Sequence, residues 1–300
     1  MSGRLWRFAD LDVDSDVPFS GLTSARGPAE IQIRRDHVAD ADWARIQTWP
    51  AEAGDWLTID RGPHGYRLRF AGLTCAISAD GSSVRYEPAV DLPSELLVHL
   101  LLHQVLPLAV SRRGRLVVHA CGVTTDRGVV GLIGDTGAGK STLAAACCAR
   151  GAALVADDAL VLELTADATR VWPTADGLRL WDDMLVAVGA EMPPVPASGK
   201  RHVPVTLARD TAPLTSLLLV GDAHDTDVVV SDVEPPAARV ALLPHLFRLD
   251  VGDPLESQRL FDAVHELAQR VPMRRLAFPD GVAHLSRAAD TVLSGTRATS

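Results

Sequence analysis

The chain has 300 residues, with 29 basic and 38 acidic side chains and a formal net charge of −9. Lysine occurs only at Lys140 and Lys200, every other basic residue is arginine, and asparagine is absent. An acidic chain is a poor partner for nucleic acid, whose phosphates need a basic field; the lack of asparagine excludes N-glycosylation, the Asn-Lys-x-Asp guanine-reading motif and the protein-kinase catalytic loop, which needs an Asn for its second metal.

The opening MSGRLWRFADLDVDSD is acidic and lacks the apolar stretch of a signal peptide. Residues 1 to about 50 read as polar and irregular, with one edge strand at Ile31–Ile33. From Trp56 to Tyr86 the runs WLTID, GYRLRF, TCAIS and SVRYE alternate with period two. Breaks at Arg61-Gly62-Pro63 and at Ala79-Asp80-Gly81, a hairpin turn, make them short strands. A β-rich accessory region is therefore expected over residues 1–90. Pro93 and Ser94 open a helix expected to run to about Leu106, with Pro107 disturbing its end. The apolar stretch Leu96–Val110 contains His99, His103, Gln104 and Pro107, and reads as too short and too polar to span a bilayer.

RLVVHACGVTT (115–125) and GVVGLIG (128–134) are separated by Asp126 and Arg127, and read as a β-hairpin feeding a glycine loop. STLAAACCAR (141–150) is a helix of strong helix formers stopped by Gly151. ALVADD and ALVLEL are strands. A polar loop after Met192 holds Pro193, Pro194, Pro196 and Gly199. LTSLLLVG (214–221), DVVVSDV (227–233) and RRLAFP (274–279) are strands, and 236–249, 255–271 and 282–294 are helical by their 3.6-residue apolar spacing. The four cysteines form no CxxC pair and read as reduced thiols of a cytoplasmic protein. Residues 91–300 thus read as an α/β catalytic domain.

GDTGAGKS fits G-x-x-x-x-G-K-[ST] at every fixed position, between an apolar strand and an alanine-rich helix. The loop comprises Gly134, Asp135, Thr136, Gly137, Ala138 and Gly139, followed by Lys140, Ser141 and Thr142. Its glycines let successive backbone N–H groups point at phosphate oxygens, and the helix adds its positive end. Lys140 is placed to reach the β- and γ-phosphates and Ser141 to offer a hard oxygen to Mg²⁺, so the expected ligands are ATP and Mg²⁺.

ALVADD puts Asp157 and Asp158 at the carboxyl end of a strand expected to neighbour the phosphate loop, where open α/β sheets bind ligands. Consecutive carboxylates on a strand point to opposite sides, one toward the γ-phosphate and acceptor and the other toward the metal. His119, in LVVHAC, reads on its own as a core histidine. Lys200 and Arg201, in a flexible PVPASGKRHV loop, and Arg179, in GLRLW, are weaker candidates for phosphate or acceptor contacts. His99 and His103 share a helix face, but with no third ligand in view they read as structural.

Taken together, His119, the hairpin, the loop Gly134–Ser141, Arg150-Gly151 and Leu154–Asp158 resemble the catalytic domain of the bacterial HPr kinase/phosphorylase family. The resemblance is strong over about residues 115–165. It extends more weakly, through LLHQVLPLAVSRRGRLVVHACGV and GLRLWDDMLVAVG, to the shorter HPr-kinase-related bacterial proteins. Some of these accompany peptide-modifying gene clusters and phosphorylate precursor peptides. The resemblance implies a phosphate-loop α/β core of the type shared with phosphoenolpyruvate carboxykinase. It implies Asp157 as general base, His119 as its support, Asp158 toward the metal, and a Ser/Thr hydroxyl of a peptide or small protein as acceptor. It also implies ring-like homo-oligomers. Thr142 stands where that family commonly has Glu, and residues 1–90 do not resemble the N-terminal domain of the regulatory HPr kinases. A small-molecule hydroxyl kinase and a non-catalytic ATP-binding regulator remain open as alternatives.

Overall fold

A computed structural model describes residues 3–40, 42–51, 54–182, 184–185, 200–221, 227–279 and 281–295. The prolines and Gly199 of the loop after Met192 lie outside the described residues. The chain forms two compact units: residues 1–117 with 247–261, and residues 118–246 with 262–300. The composition boundary near residue 90 falls inside the first unit. The following helix belongs there, and the Ala109 carbonyl lies 2.3 Å from where a Cβ on Gly81 would stand.

The first unit is built on a nine-stranded sheet. Its strands are β1 (Arg4–Phe8), β2 (Leu11–Ser15), β3 (Thr23–Ser24), β4 (Ile31–Arg35), β5 (Ala44–Ala51), β6 (Gly54–Gly62), β7 (Gly65–Phe70), β8 (Leu73–Ser78) and β9 (Ser83–Pro88), in the order β3-β1-β2-β4-β9-β8-β7-β6-β5. The first fifty residues thus contribute four strands and most of a fifth, against the irregular reading. Their charged residues alternate with a thin set of apolar ones, and burial of Phe8, Val13, Ile31 and Ile33 is enough to set the faces. β4 is an interior strand, parallel to both β2 and β9. Buried Asp60 is tolerated because Arg45 and Arg67 donate to its two oxygens at 2.6 and 3.0 Å.

Pro107 does not end the helix that follows. Ser94–Leu100 is α-helical, Leu101–Val105 widens to a π-turn, and Leu106–Arg112 is α-helical again. A proline lacks an N–H and its ring meets the carbonyl four residues back. The π-turn accommodates this, with the Leu106 N–H bonded to the Leu101 carbonyl five residues back. The continuous stretch Ser94–Arg112 is, by length and composition, long and apolar enough to cross a membrane, which corrects the shorter reading; most of its apolar window is buried within the protein.

The second unit contains β10 (Leu116–His119), whose last two residues belong here, β11 (Cys121–Thr125), β12 (Gly128–Ile133), β13 (Leu154–Ala156), β14 (Ala159–Leu164), β15 (Thr169–Trp172), β16 (Leu178–Leu180), β17 (Arg201–Val203), β18 (Ala212–Val220), β19 (Val229–Val233) and β20 (Met273–Ala277). Nine of them form a sheet in the order β10-β14-β15-β18-β12-β11-β13, with β20 on β18 and β19 on β20; β16 and β17 pair separately. β12, β18 and β20 run parallel as the α/β core. The helix Lys140–Cys148 packs on it through Leu143, Ala144 and Cys147, and shares a buried cluster with Leu285, Ala288, Ala289 and Val292 of the helix Val282–Leu293. Alanine at the contact lets the helix backbones lie close.

Three sequence expectations change here. The run 115–125 is not one strand: Ala120 interrupts it, its N–H bonded to the Asp158 carbonyl at 3.2 Å. β13 does not neighbour β12, because β11 lies between them, antiparallel to both. β13 therefore still points the same way as β12, and its carboxyl end stays on the side of the glycine loop Gly134–Gly139. Finally, the helix expected over 236–249 spans only Pro235–Leu242, followed by a 3₁₀ turn at Leu243–His245. Pro244 has no N–H to continue the α pattern, and Leu246 is extended and bridged antiparallel to Val118.

Candidate functional site

The site begins where β12 ends. Ile133 is fully buried, and the chain turns at once through Gly134 into the helix at Lys140. Gly134 has φ +147, and a Cβ there would lie 2.3 Å from the Val220 carbonyl of β18, so only glycine fits. Gly139 has φ +87 at the helix N-cap, a left-handed conformation costly for other residues. Asp135, Thr136 and Gly137 are exposed, and Ala138 is half-buried. Thr142 is buried in the helix's first turn.

Lys140 is buried and folded over its own loop, its Nζ donating to the carbonyls of Gly134 at 2.8 Å and Asp135 at 3.1 Å. Burial lowers its proton affinity, and the charges of Asp158, Asp135 and Asp157 work against that. The contacts of the ammonium are with backbone carbonyls of its own loop.

Asp157 follows the last residue of β13 and is 3% exposed. Its Oδ1 accepts from the Ser141 hydroxyl at 3.1 Å and from the Cys121 thiol at 3.2 Å, and its Oδ2 from the Arg179 N–H at 3.2 Å. Asp158 takes the next position with φ +71, an uncommon conformation for a residue with a Cβ. That kink turns the chain from β13 into β14. The charge of Asp158 acts on both His119 and Lys140. His119 is half-buried and hydrogen-bonded to the backbone of Asp158; burial lowers its proton affinity and holds it neutral.

His119, Lys140, Ser141, Asp157 and Asp158 are thus brought together, but with the two carboxylates distributed in a way the resemblance does not imply. Asp157 accepts from the Ser141 hydroxyl, the backbone of Asp158 is bonded to His119, and the charges of both carboxylates act on Lys140. Arg179 reaches the site through its backbone, while its Nη2 lies 3.6 Å from Asp176. Arg201 is not in a loop: it opens β17, and its Nη2 donates to Asp182 at 2.9 Å in a two-pronged pair. Lys200 lies over the exposed Trp181 ring, 5.7 Å from its centroid.

Two residues of the site escape the sequence reading. Cys121 is fully buried, 3.7 Å from the Ser141 hydroxyl, and burial raises its thiol well above the usual range, so it is an inert donor to Asp157. Its two-residue spacing from His119 is the signal that could have found it. His245 is also buried, and near enough to Lys140 and Asp135 to respond to their charges. It lies over a hundred residues away, after a proline, with no local pattern to mark it.

No protein-family model matches the sequence, and no curated protein matches it. Among solved structures the chain is similar to one described as the Hpr(Ser) kinase/phosphatase from Coxiella burnetii, at 13% identity, with 57% of this chain and 91% of that chain covered and a TM-score of 0.29. The functional reading therefore rests on the residues themselves. Among the described residues no group of three or more His, Cys, Asp or Glu side chains is arranged to hold a metal. The Ser141 and Asp157 oxygens nonetheless fit Mg²⁺, which takes one or two protein oxygens and completes its shell with water and substrate phosphate.

Proposed function

We propose that this protein is an ATP- and Mg²⁺-dependent phosphotransferase that moves the γ-phosphoryl group to a serine or threonine hydroxyl of a peptide or small protein in the cytoplasm. The observation that carries the reading is the Ser141–Asp157 contact beside a complete G-x-x-x-x-G-K-S loop. Nucleotide binding needs only the loop. A buried carboxylate against the loop's serine, with a second carboxylate and an imidazole at its side, supplies what transfer needs as well.

Ser141 and Asp157 would hold Mg²⁺, which when bound neutralises charge on the β- and γ-phosphates. The loop N–H groups hold the β-phosphate, and Lys140 leaves its carbonyl partners for the β- and γ-oxygens. Asp158, oriented by its φ +71 turn and by His119 on its backbone, accepts the proton of the acceptor hydroxyl. The hydroxyl oxygen bonds to the γ-phosphorus as the bond to the ADP oxygen breaks. The proton then passes from Asp158 to solvent. The sequence resemblance gives the base's part to Asp157; its position against Ser141 favours Asp158 for that part.

The test is incubation with Mg²⁺ and γ-labelled ATP in a lysate of the source cells, with Lys140→Ala as the blank. Label on serine or threonine of a polypeptide is the expected result. Label on a dialysable compound overturns the peptide acceptor, and no Lys140-dependent label overturns the phosphotransferase. Asp158→Asn should abolish transfer while MgATP still binds. Loss of transfer from Asp157→Asn at unchanged Mg²⁺ requirement, with Asp158→Asn active, returns the base to Asp157.

A further inference from the structure

We propose that His245 is a second imidazole of the transfer site, donating a hydrogen bond to the γ-phosphoryl group from the side facing Lys140. This rests on the phosphotransferase reading and adds a residue to it. The placement comes from the backbone. Val118 and Leu246 form an antiparallel bridge, and that register sets His119 opposite His245. The short 3₁₀ turn Leu243–His245, ended by the extended Leu246, delivers the ring to this position, where it is 8% exposed.

The surroundings say which phosphate it serves. His245 lies opposite His119 across the Val118–Leu246 bridge and within electrostatic reach of Lys140 and Asp135. Asp135 is the second residue of the loop, whereas the phosphates nearer the nucleoside lie against the helix N-terminus at Lys140–Thr142. A group beside both Asp135 and the Lys140 ammonium therefore faces the far end of a triphosphate. Burial lowers the proton affinity of His245, as the Lys140 charge also does. A neutral imidazole keeps one N–H donor at physiological pH, and a donor to a charged phosphate oxygen is among the stronger hydrogen bonds.

A contact confined to the γ-phosphate changes the preference between nucleotides, which a purely structural histidine does not. The experiment compares binding of fluorescent ADP with that of the non-hydrolysable triphosphate AMP-PNP by competition, with Mg²⁺, in the unaltered protein and in His245→Ala. The expected result is weaker triphosphate binding by about tenfold, with ADP affinity changed less than twofold. His245→Gln, which keeps an N–H donor, should recover part of the loss and serves where His245→Ala does not fold. Equal weakening of both nucleotides, or of neither, overturns the assignment of His245 alone. Failure of the unaltered protein to bind either nucleotide overturns the phosphotransferase reading and this inference with it.

Discussion

The hydroxyl of Ser141 donates to Oδ1 of Asp157 across 3.1 Å, joining the first turn of the helix Lys140–Cys148 to the end of β13. The contact exists because β11 lies antiparallel between β12 and β13, so both strands end on the same side. If this pair holds the metal, removing either oxygen weakens Mg²⁺ more than nucleotide. Ser141→Ala and Asp157→Asn should each raise the Mg²⁺ concentration for half-maximal turnover by about 10–100-fold. Mg²⁺ titrations of turnover at saturating ATP measure it. An unchanged requirement in both variants removes Ser141 and Asp157 from the metal site.

The two lysines make a separate case. Composition has replaced lysine by arginine elsewhere in the chain, but a guanidinium is a broad planar fork and the loop encloses a compact ammonium. Lys140 donates to two carbonyls of its own loop from a buried position, a fit that a guanidinium cannot reproduce. Lys140→Arg should therefore lose turnover almost as fully as Lys140→Ala, by roughly 10³-fold. Lys200 lies over Trp181, and an arginine there keeps the same cation–π contact. Lys200→Arg should leave turnover within about twofold; a larger loss would give Lys200 a part in transfer.

Gly134 tests the loop's backbone rather than its charges. A methyl group at this position meets the Val220 carbonyl at 2.3 Å, and φ +147 is itself strained for alanine. Gly134→Ala should cost about 1–3 kcal/mol in denaturant unfolding and weaken ATP binding measurably. Gly114, with φ +97 and no atom within 4 Å of its added Cβ, is the control: Gly114→Ala carries the backbone cost without the clash or the effect on ATP.

The parts of this site that could be read from the sequence are the local ones. Gly134 to Ser141 and the Asp157-Asp158 pair are runs of adjacent residues whose chemistry depends on their own spacing, and the structure brings them to one end of one sheet. What could not be read depends on register and topology. The break at Ala120 is set by its bond to Asp158, 38 residues on. That Asp157 rather than Asp158 meets the Ser141 hydroxyl follows from the fold and not from local spacing. His245 arrives by a bridge to Val118 that no neighbouring residue announces. Residues 1 to about 50 depart from the irregular reading for a different reason. In RLWRF and LDVDS the charged residues give no clean apolar alternation, and the strands are fixed by pairing, Arg4 with Ser15 and Trp6 with Val13.

Stability should carry a trace of His119 and His245. Burial lowers the folded-state proton affinity of both His119 and His245 below the ordinary value near 6.5. Above that pH both rings are neutral in the folded and unfolded chains, and the histidines make no pH-dependent contribution. As pH falls below about 6.5 the unfolded chain takes up protons that the folded chain refuses, so stability declines until the folded-state rings protonate. Carboxylates act in a lower window; Asp80, held at about 2 by its hydrogen bonds from Ser78 and Ser82, adds its own loss only as pH drops below the usual carboxylate range. The doubly substituted His119→Gln, His245→Gln protein should therefore lose melting temperature less steeply than the unaltered protein between about pH 6.5 and 5, and in parallel with it below about pH 4. Thermal unfolding followed by circular dichroism across that range measures both slopes, and identical slopes in the upper window would mean that both rings titrate as they do in the unfolded chain.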